Sequence, residues 1–225
     1  VLRGVIFDFD GVLVDSERAH FEGFRAVLSE GAEFEIDFHE YTEHYLAYDD
    51  HGVIRRALEF HGQTASPARV DELATRKKAV FADLLPRIAF LPGAKALILA
   101  LHDAGVPLAI ASGARRHEIE ALLSGQDLLR AFRGIVSADD VENLKPHPEP
   151  YLRGRSIIGA AESAHGVVAF EDSMPGMAAA RAADLRLIGV TNSHPREKLG
   201  LAHCVVDSLE DLTVEDITMV ATGAI

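Results

Sequence analysis

Only one cysteine occurs in the 225 residues, Cys204 in the apolar stretch His203-Cys204-Val205-Val206. An internal disulfide is therefore excluded, and a small buried hydrophobe is the expectation for that thiol. No apolar run approaches the ~20 residues that a bilayer-spanning helix needs, so no membrane partner is expected. No charged-then-apolar leader opens the sequence, and the expectation is a soluble protein of the reducing cytoplasm. Basic residues are also scarce: 22 Lys and Arg stand against 35 Asp and Glu, a net charge of -13. That balance argues against nucleic acid as a partner. It also means that any anionic ligand must be met by local cations, whether a metal, a lysine or exposed backbone N–H groups. Internal repeats and low-complexity segments are missing. Apolar residues are not: at 48% of the chain they suffice for a large core.

The apolar residues fall into two textures. Leu2 to Phe9 reads as a buried strand, with Val5, Ile6 and Phe7 continuous and Gly11 following. From Ser16 to about Leu85 the spacing is helical. Phe21, Phe24 and Leu28 form one face with Gly31 as its stop. Val53, Ile54, Ala57 and Leu58 form a second, ended by Gly62, and Ser66-Pro67 opens a third. After Leu91-Pro92-Gly93 strands and helices alternate. Strands are expected over Pro107–Ala111, Gly134–Ser137, Gly166–Phe170, Leu185–Val190 and His203–Val206. Helices are expected at Ala94–Ala104, from Arg115, at Pro148–Ile158 and at Pro175–Ala183. Such alternation implies βαβ units and a mainly parallel sheet. The division is residues 1–15 and 88–225 for the α/β part and 16–87 for an all-helical insert, expected to lie over the carboxyl edge of the sheet as a lid. Its hinges fall near Val14–Ser16 and Ala89–Pro92.

Four polar signals sit at the ends of, or just beyond, the apolar runs: Asp8-Phe9-Asp10-Gly11, Ser112-Gly113, Lys145-Pro146 and Glu171-Asp172-Ser173. Ligands of open α/β sheets bind outside the carboxyl ends of the strands, so these four can converge. Asp8 and Asp10 are too close to share one environment, and the expectation is one ionised and one protonated carboxyl, a nucleophile beside a general acid/base. A plain Asp-x-Asp-Gly turn and the start of a calcium loop are the alternatives, and for the calcium loop Val12, Leu13 and Val14 stand where further acids are needed. Glu171-Asp172 suits magnesium, with helix capping as the competing account. The small residues Gly176, Ala178, Ala179 and Ala180 let the following helix approach closely. Ser112-Gly113 can offer a hydroxyl and N–H groups to phosphate oxygens, or be a plain strand-to-helix turn. Lys145 can neutralise a carboxylate and a phosphate together, or be a solvated lysine. In the insert, Lys77 falls on the apolar stripe of Val70, Leu73, Ala74, Val80, Phe81 and Leu84. A charge on that face points to a cleft, although lysines also snorkel.

The combination Asp8-Phe9-Asp10-Gly11-Val12-Leu13-Val14-Asp15-Ser16, Ala111-Ser112-Gly113, Leu144-Lys145-Pro146-His147-Pro148-Glu149 and Phe170-Glu171-Asp172-Ser173-Met174-Pro175-Gly176 resembles the four motifs of the haloacid dehalogenase superfamily. The helical insert resembles its small cap. Similarity is greatest to the β-phosphoglucomutase and phosphoglycolate phosphatase group. The resemblance implies a Rossmann-like parallel sheet flanked by helices, with an inserted all-helical cap domain. It implies a Mg²⁺-dependent phosphomonoester hydrolase, acting on a small phosphorylated metabolite or sugar phosphate. Asp8 would accept phosphorus, Asp10 would serve as acid and then base, and Ser112 and Lys145 would hold the phosphoryl group. Mg²⁺ would sit among Asp8, the Asp10 carbonyl and Asp172, with Glu171 acting through water. Gly113, His20, Lys77 and Arg115 are implied in substrate binding. Arg115 and Arg116 have a plainer account as solvated helix-start residues, and His20 as an ordinary first-turn residue. Mutases of the family also carry a cap arginine. Here Leu46-Ala47-Tyr48-Asp49-Asp50-His51 offers acids instead, and Arg55 or Arg56 would substitute only on a rotated helix. A hexose-phosphate mutase is thus the second enzymatic reading, and a non-catalytic phospho-receiver or phosphate-sensing module the third. A monomer is expected.

Overall fold

A computed structural model describes residues 1–46 and 48–224. Ala47, within the stretch read above against a cap arginine, and the last residue, Ile225, lie outside the described residues. The chain divides into two units, Val1–Asp15 with Ala89–Ile225, and Ser16–Ile88.

The first unit is built on six parallel strands among the described residues. They are β1 (Gly4–Phe7), β2 (Leu108–Ala111), β3 (Gly134–Val136), β4 (Val167–Glu171), β5 (Arg186–Val190) and β6 (Cys204–Val206). Their order is β3-β2-β1-β4-β5-β6. Helices α5 (Ala94–Asp103), α6 (Arg116–Ser124), α7 (Glu149–Ile157), α8 (Met174–Ala182) and α9 (Val214–Thr222) flank the sheet. A parallel sheet covered on both faces must be apolar along whole strands, and β1, β2 and β4 are buried at every position. The strand order reverses between β1 and β4. Phe7 pairs with Phe170 across that junction, and their rings stack at 4.8 Å. The crevice of a doubly wound sheet opens at this switch point, which is where Asp8 and Glu171 emerge.

The second unit holds α1 (Glu17–Ala32), α2 (Phe38–His44), α3 (Asp50–Phe60) and α4 (Pro67–Leu84). It has its own core, with Phe21, Phe24, Leu28, Tyr41, Ile54 and Leu73 among its buried residues. Two readings need correction. Gly31 does not stop the first helix, which runs on to Ala32 and ends at Glu33 with φ 59°. A Cβ at Gly31 would lie 2.6 Å from Leu73 Cδ2, so this glycine permits the close packing of α1 on α4. Cys204 is half-buried rather than buried, because β6 is the sheet's edge strand. Sequence periodicity also passed over α2 and α9. Both are short, and their signals lie in their caps: Asp37 accepts from Glu40 N–H, and Thr213 and Asp216 form a capping box.

Candidate active site

β1 delivers Asp8 at the switch point, and the Asp8 N–H donates to Phe170 O at 3.0 Å. The chain then turns sharply. Phe9 O accepts from Leu13 and Val14, and Gly11 N–H donates to Val14 O at 2.9 Å. Gly11 has φ 72°, and a Cβ there would fall 1.8 Å from Asp172 Oδ2. Only glycine lets this turn lie against the end of β4. Val12, Leu13 and Val14 are wholly buried, and they anchor the turn.

Asp8, Glu171 and Asp172 are all buried, and each offers an oxygen within 4.8 Å of the others. Lys145 Nζ bridges them, at 2.8 Å from Asp8 Oδ1 and 2.6 Å from Glu171 Oε1. Glu171 is fully engaged. Its Oε1 also accepts from Tyr151 OH at 2.7 Å, while Oε2 accepts from Ser173 Oγ and the N–H groups of Asp172 and Ser173. It therefore anchors Lys145. The closeness of α8 makes this possible, since a Cβ on Gly176 would meet Glu171 Oε1 at 1.8 Å.

Three carboxylates and one ammonium leave an excess of negative charge in a buried site. Burial, and then the charge of Glu171, push Asp8 well above the usual carboxylate range, against the pull of Lys145. Burial and Glu171 likewise raise Asp172 to about 7. Burial pushes Lys145 down, but Asp8 and Glu171 more than reverse this and hold it charged. The carboxylates that crowd Asp8 are thus Glu171 and Asp172, more than 160 residues away in sequence. An oxygen-only set with surplus charge, closed by the cradle that Gly11 leaves open, fits a hard divalent cation such as Mg²⁺.

Ser112 is buried beyond β2. Its Oγ donates to Asp10 Oδ2 at 3.4 Å and accepts from Ala114 N–H at 2.9 Å. Gly113 has open space where a side chain would be. Asp8, Lys145, Glu171 and Asp172 thus form one cluster, and Asp10 and Ser112 are hydrogen-bonded to each other beyond the ends of the paired strands β1 and β2. Arg115 joins neither: its guanidinium is held by Asp139, and Arg116 by Asp140 at 2.7 Å. His20 and Lys77 meet each other within the helical unit. Lys77 Nζ donates to His20 Nδ1 at 2.7 Å and to Asp50 Oδ1 at 2.8 Å, over the rings of Phe24 and Phe81. Arg56 stacks on Tyr48 at 3.9 Å.

Three contributors escaped the sequence reading. Tyr151 supports Glu171 from α7. Beyond β5, Ser193 Oγ donates to Asp172 Oδ2, and Asn192 Nδ2 donates to Gly11 O at 2.8 Å. The signal was available, since Thr191-Asn192-Ser193 is another polar group just past an apolar strand.

A doubly wound sheet with buried acids and a lysine at its switch point defines a class of phosphate-handling α/β enzymes. The profile of haloacid dehalogenase-like hydrolases matches residues 2–184, and the chain belongs to that family. It is 33% identical over 195 residues to the phosphorylated carbohydrates phosphatase of Thermotoga maritima, covering 85% of this chain and 87% of that one. It is 30% identical over 233 residues to protein CbbY of Rhodobacter capsulatus, covering 100% and 97%. Crystal structures of CbbY from Rhodobacter sphaeroides, one with phosphate and one with xylulose-(1,5)bisphosphate, superpose with a TM-score of 0.77 at 26% identity, covering 94% of this chain and 96% of that one. The protein is an enzyme, a phosphatase of this family. Among the described residues no helix is long and apolar enough to cross a membrane.

Proposed function

We propose that the chain is a Mg²⁺-dependent phosphomonoesterase of small phosphorylated metabolites, sugar phosphates above all, working through an aspartyl-phosphate on Asp8. The observation that carries this reading is the Asp8–Lys145–Glu171 bridge beside Asp172. Asp8 carboxylate attacks phosphorus, a P–O bond forms, and the ester P–O bond breaks as Asp10 protonates the leaving oxygen. Asp10 then takes a proton from water, whose oxygen attacks phosphorus and releases Asp8 and inorganic phosphate. Ser112 and Lys145 hold the phosphoryl oxygens through both steps. Asp8, the Asp10 carbonyl and Asp172 would hold Mg²⁺, which when bound supplies charge neutralisation for the carboxylates and the phosphoryl group. Residues 1–15 and 89–225 form the catalytic core and 16–88 the cap that selects substrate.

The carbohydrate phosphatase and the xylulose-(1,5)bisphosphate complex among the relatives support a phosphorylated sugar as substrate. Hydrolase is favoured over mutase because Asp49 and Asp50 stand in the stretch where the mutases carry a cap arginine, and Lys77 is paired with Asp50. Asp8→Asn should reduce hydrolysis of p-nitrophenyl phosphate with Mg²⁺ to background, and activity retained by this variant would refute the nucleophile. With β-glucose 1-phosphate, free phosphate is expected, and glucose 6-phosphate would instead establish the mutase.

A further inference from the structure

The segment after β5 has no assigned role, yet it touches both halves of the acidic site. Its base is tied to β6. Thr191 N–H donates to Val206 O at 3.1 Å, and Thr191 Oγ1 donates to Asp207 Oδ1 at 2.9 Å. Five residues on, Arg196 donates to Val205 O at 2.7 Å and to the same Asp207 oxygen at 2.9 Å. Between these ties the tip carries Asn192 and Ser193, both solvent-exposed. Asn192 grips the carbonyl of Gly11, and Ser193 donates to Asp172 Oδ2.

We infer that residues 191–196 form a strap whose tip, Asn192 and Ser193, positions the two sides of the Mg²⁺ site at once. The inference rests on the metal-site reading given above. A planar peptide points its N–H and C=O in opposite directions. Gly11 N–H is fixed on Val14 O, so the Asp10 carbonyl in that same peptide is aimed the other way, and Asn192 holds the next peptide from its far side. Ser193 takes one lone-pair direction of Asp172 and thereby sets the rotation of the carboxylate. Groups that orient metal ligands in this way commonly change affinity by about 10–100-fold when removed. The acts of these residues are positional, since neither is expected to touch phosphorus or the leaving group.

The test is calorimetric titration of Mg²⁺ into the substrate-free enzyme, with thermal unfolding recorded without metal. Ser193→Ala and Asn192→Ala should each weaken Mg²⁺ binding by about 10-fold, a loss of affinity at temperatures where metal-free unfolding shows the variants still folded. Ser193→Thr, which keeps the hydroxyl, should bind as the wild type does. Asp207→Asn, which loosens the base of the strap, should weaken binding by a smaller factor. Unchanged affinity in Ser193→Ala and Asn192→Ala would overturn the strap, and so would a loss confined to metal-free stability. Asp172→Asn separates the two readings: if it binds Mg²⁺ like the wild type, the metal site itself has been misassigned.

Discussion

Asp172 shows how one side chain reports the state of the whole cluster. Its carboxyl rises from 3.8 to about 7 because burial and Glu171 both penalise its charge. A raised acid stabilises the fold fully below its unfolded pKa and loses that contribution as pH rises through the folded one. The window here runs from about 4 to about 7 for the metal-free protein. A cation restores what ionisation removes. Mg²⁺ should therefore raise the melting temperature more at pH 8 than at pH 5, and an equal rise at both would disconnect the cluster from the metal. Tyr151 offers a second check at this scale. Its hydroxyl is one of several donors to Glu171, which is fully buried. Tyr151→Phe should cost about 1–2 kcal/mol in urea unfolding, the order expected for a lost bond to a buried charged group.

Among the elements, the approach of α8 to the end of β4 decides the geometry. Ser173 caps the helix by accepting from Gly176 N–H at 3.2 Å, and it also donates to Glu171. Gly176→Ala would drive a methyl into the Glu171 carboxylate, and should destabilise by about 1–3 kcal/mol, as overpacking does. Gly113→Ala meets nothing within 4 Å and should stay within about 0.5 kcal/mol of wild type in the same denaturation assay. Most elements were legible because their apolar spacing is unambiguous. Gly31 misled because a glycine late in a helical pattern has two physical uses, as a stop and as a contact point. Only the partner helix distinguishes them, and Leu73 is 42 positions away in sequence.

At the scale of the whole molecule, an anionic protein must attract an anionic substrate. The net charge of -13 opposes encounter, and Lys145 acts only at short range. Raising ionic strength from about 0.01 to 0.1 M shortens the Debye length from about 30 to 10 Å. At saturating Mg²⁺, kcat/KM for a dianionic phosphate ester should rise over that range. A steady fall would mean that the local cations dominate encounter. The amino-acid sequence alone made legible the α/β alternation, the helical insert and the candidates Asp8, Asp10, Ser112, Glu171 and Asp172, since strand-end position is a local property of apolar runs; Lys145, well beyond the end of β3, was legible only as part of the four-motif combination. The sequence did not determine which acids crowd Asp8, that Glu171 is spent on Lys145 and Tyr151, or that Arg115 is held by Asp139 and Lys77 by Asp50. Nor did it disclose the strap at Asn192 and Ser193. Those outcomes are contacts between segments far apart in the chain. Strand order and helix packing fix them, because a side chain's charge state and partners depend on what surrounds it in space.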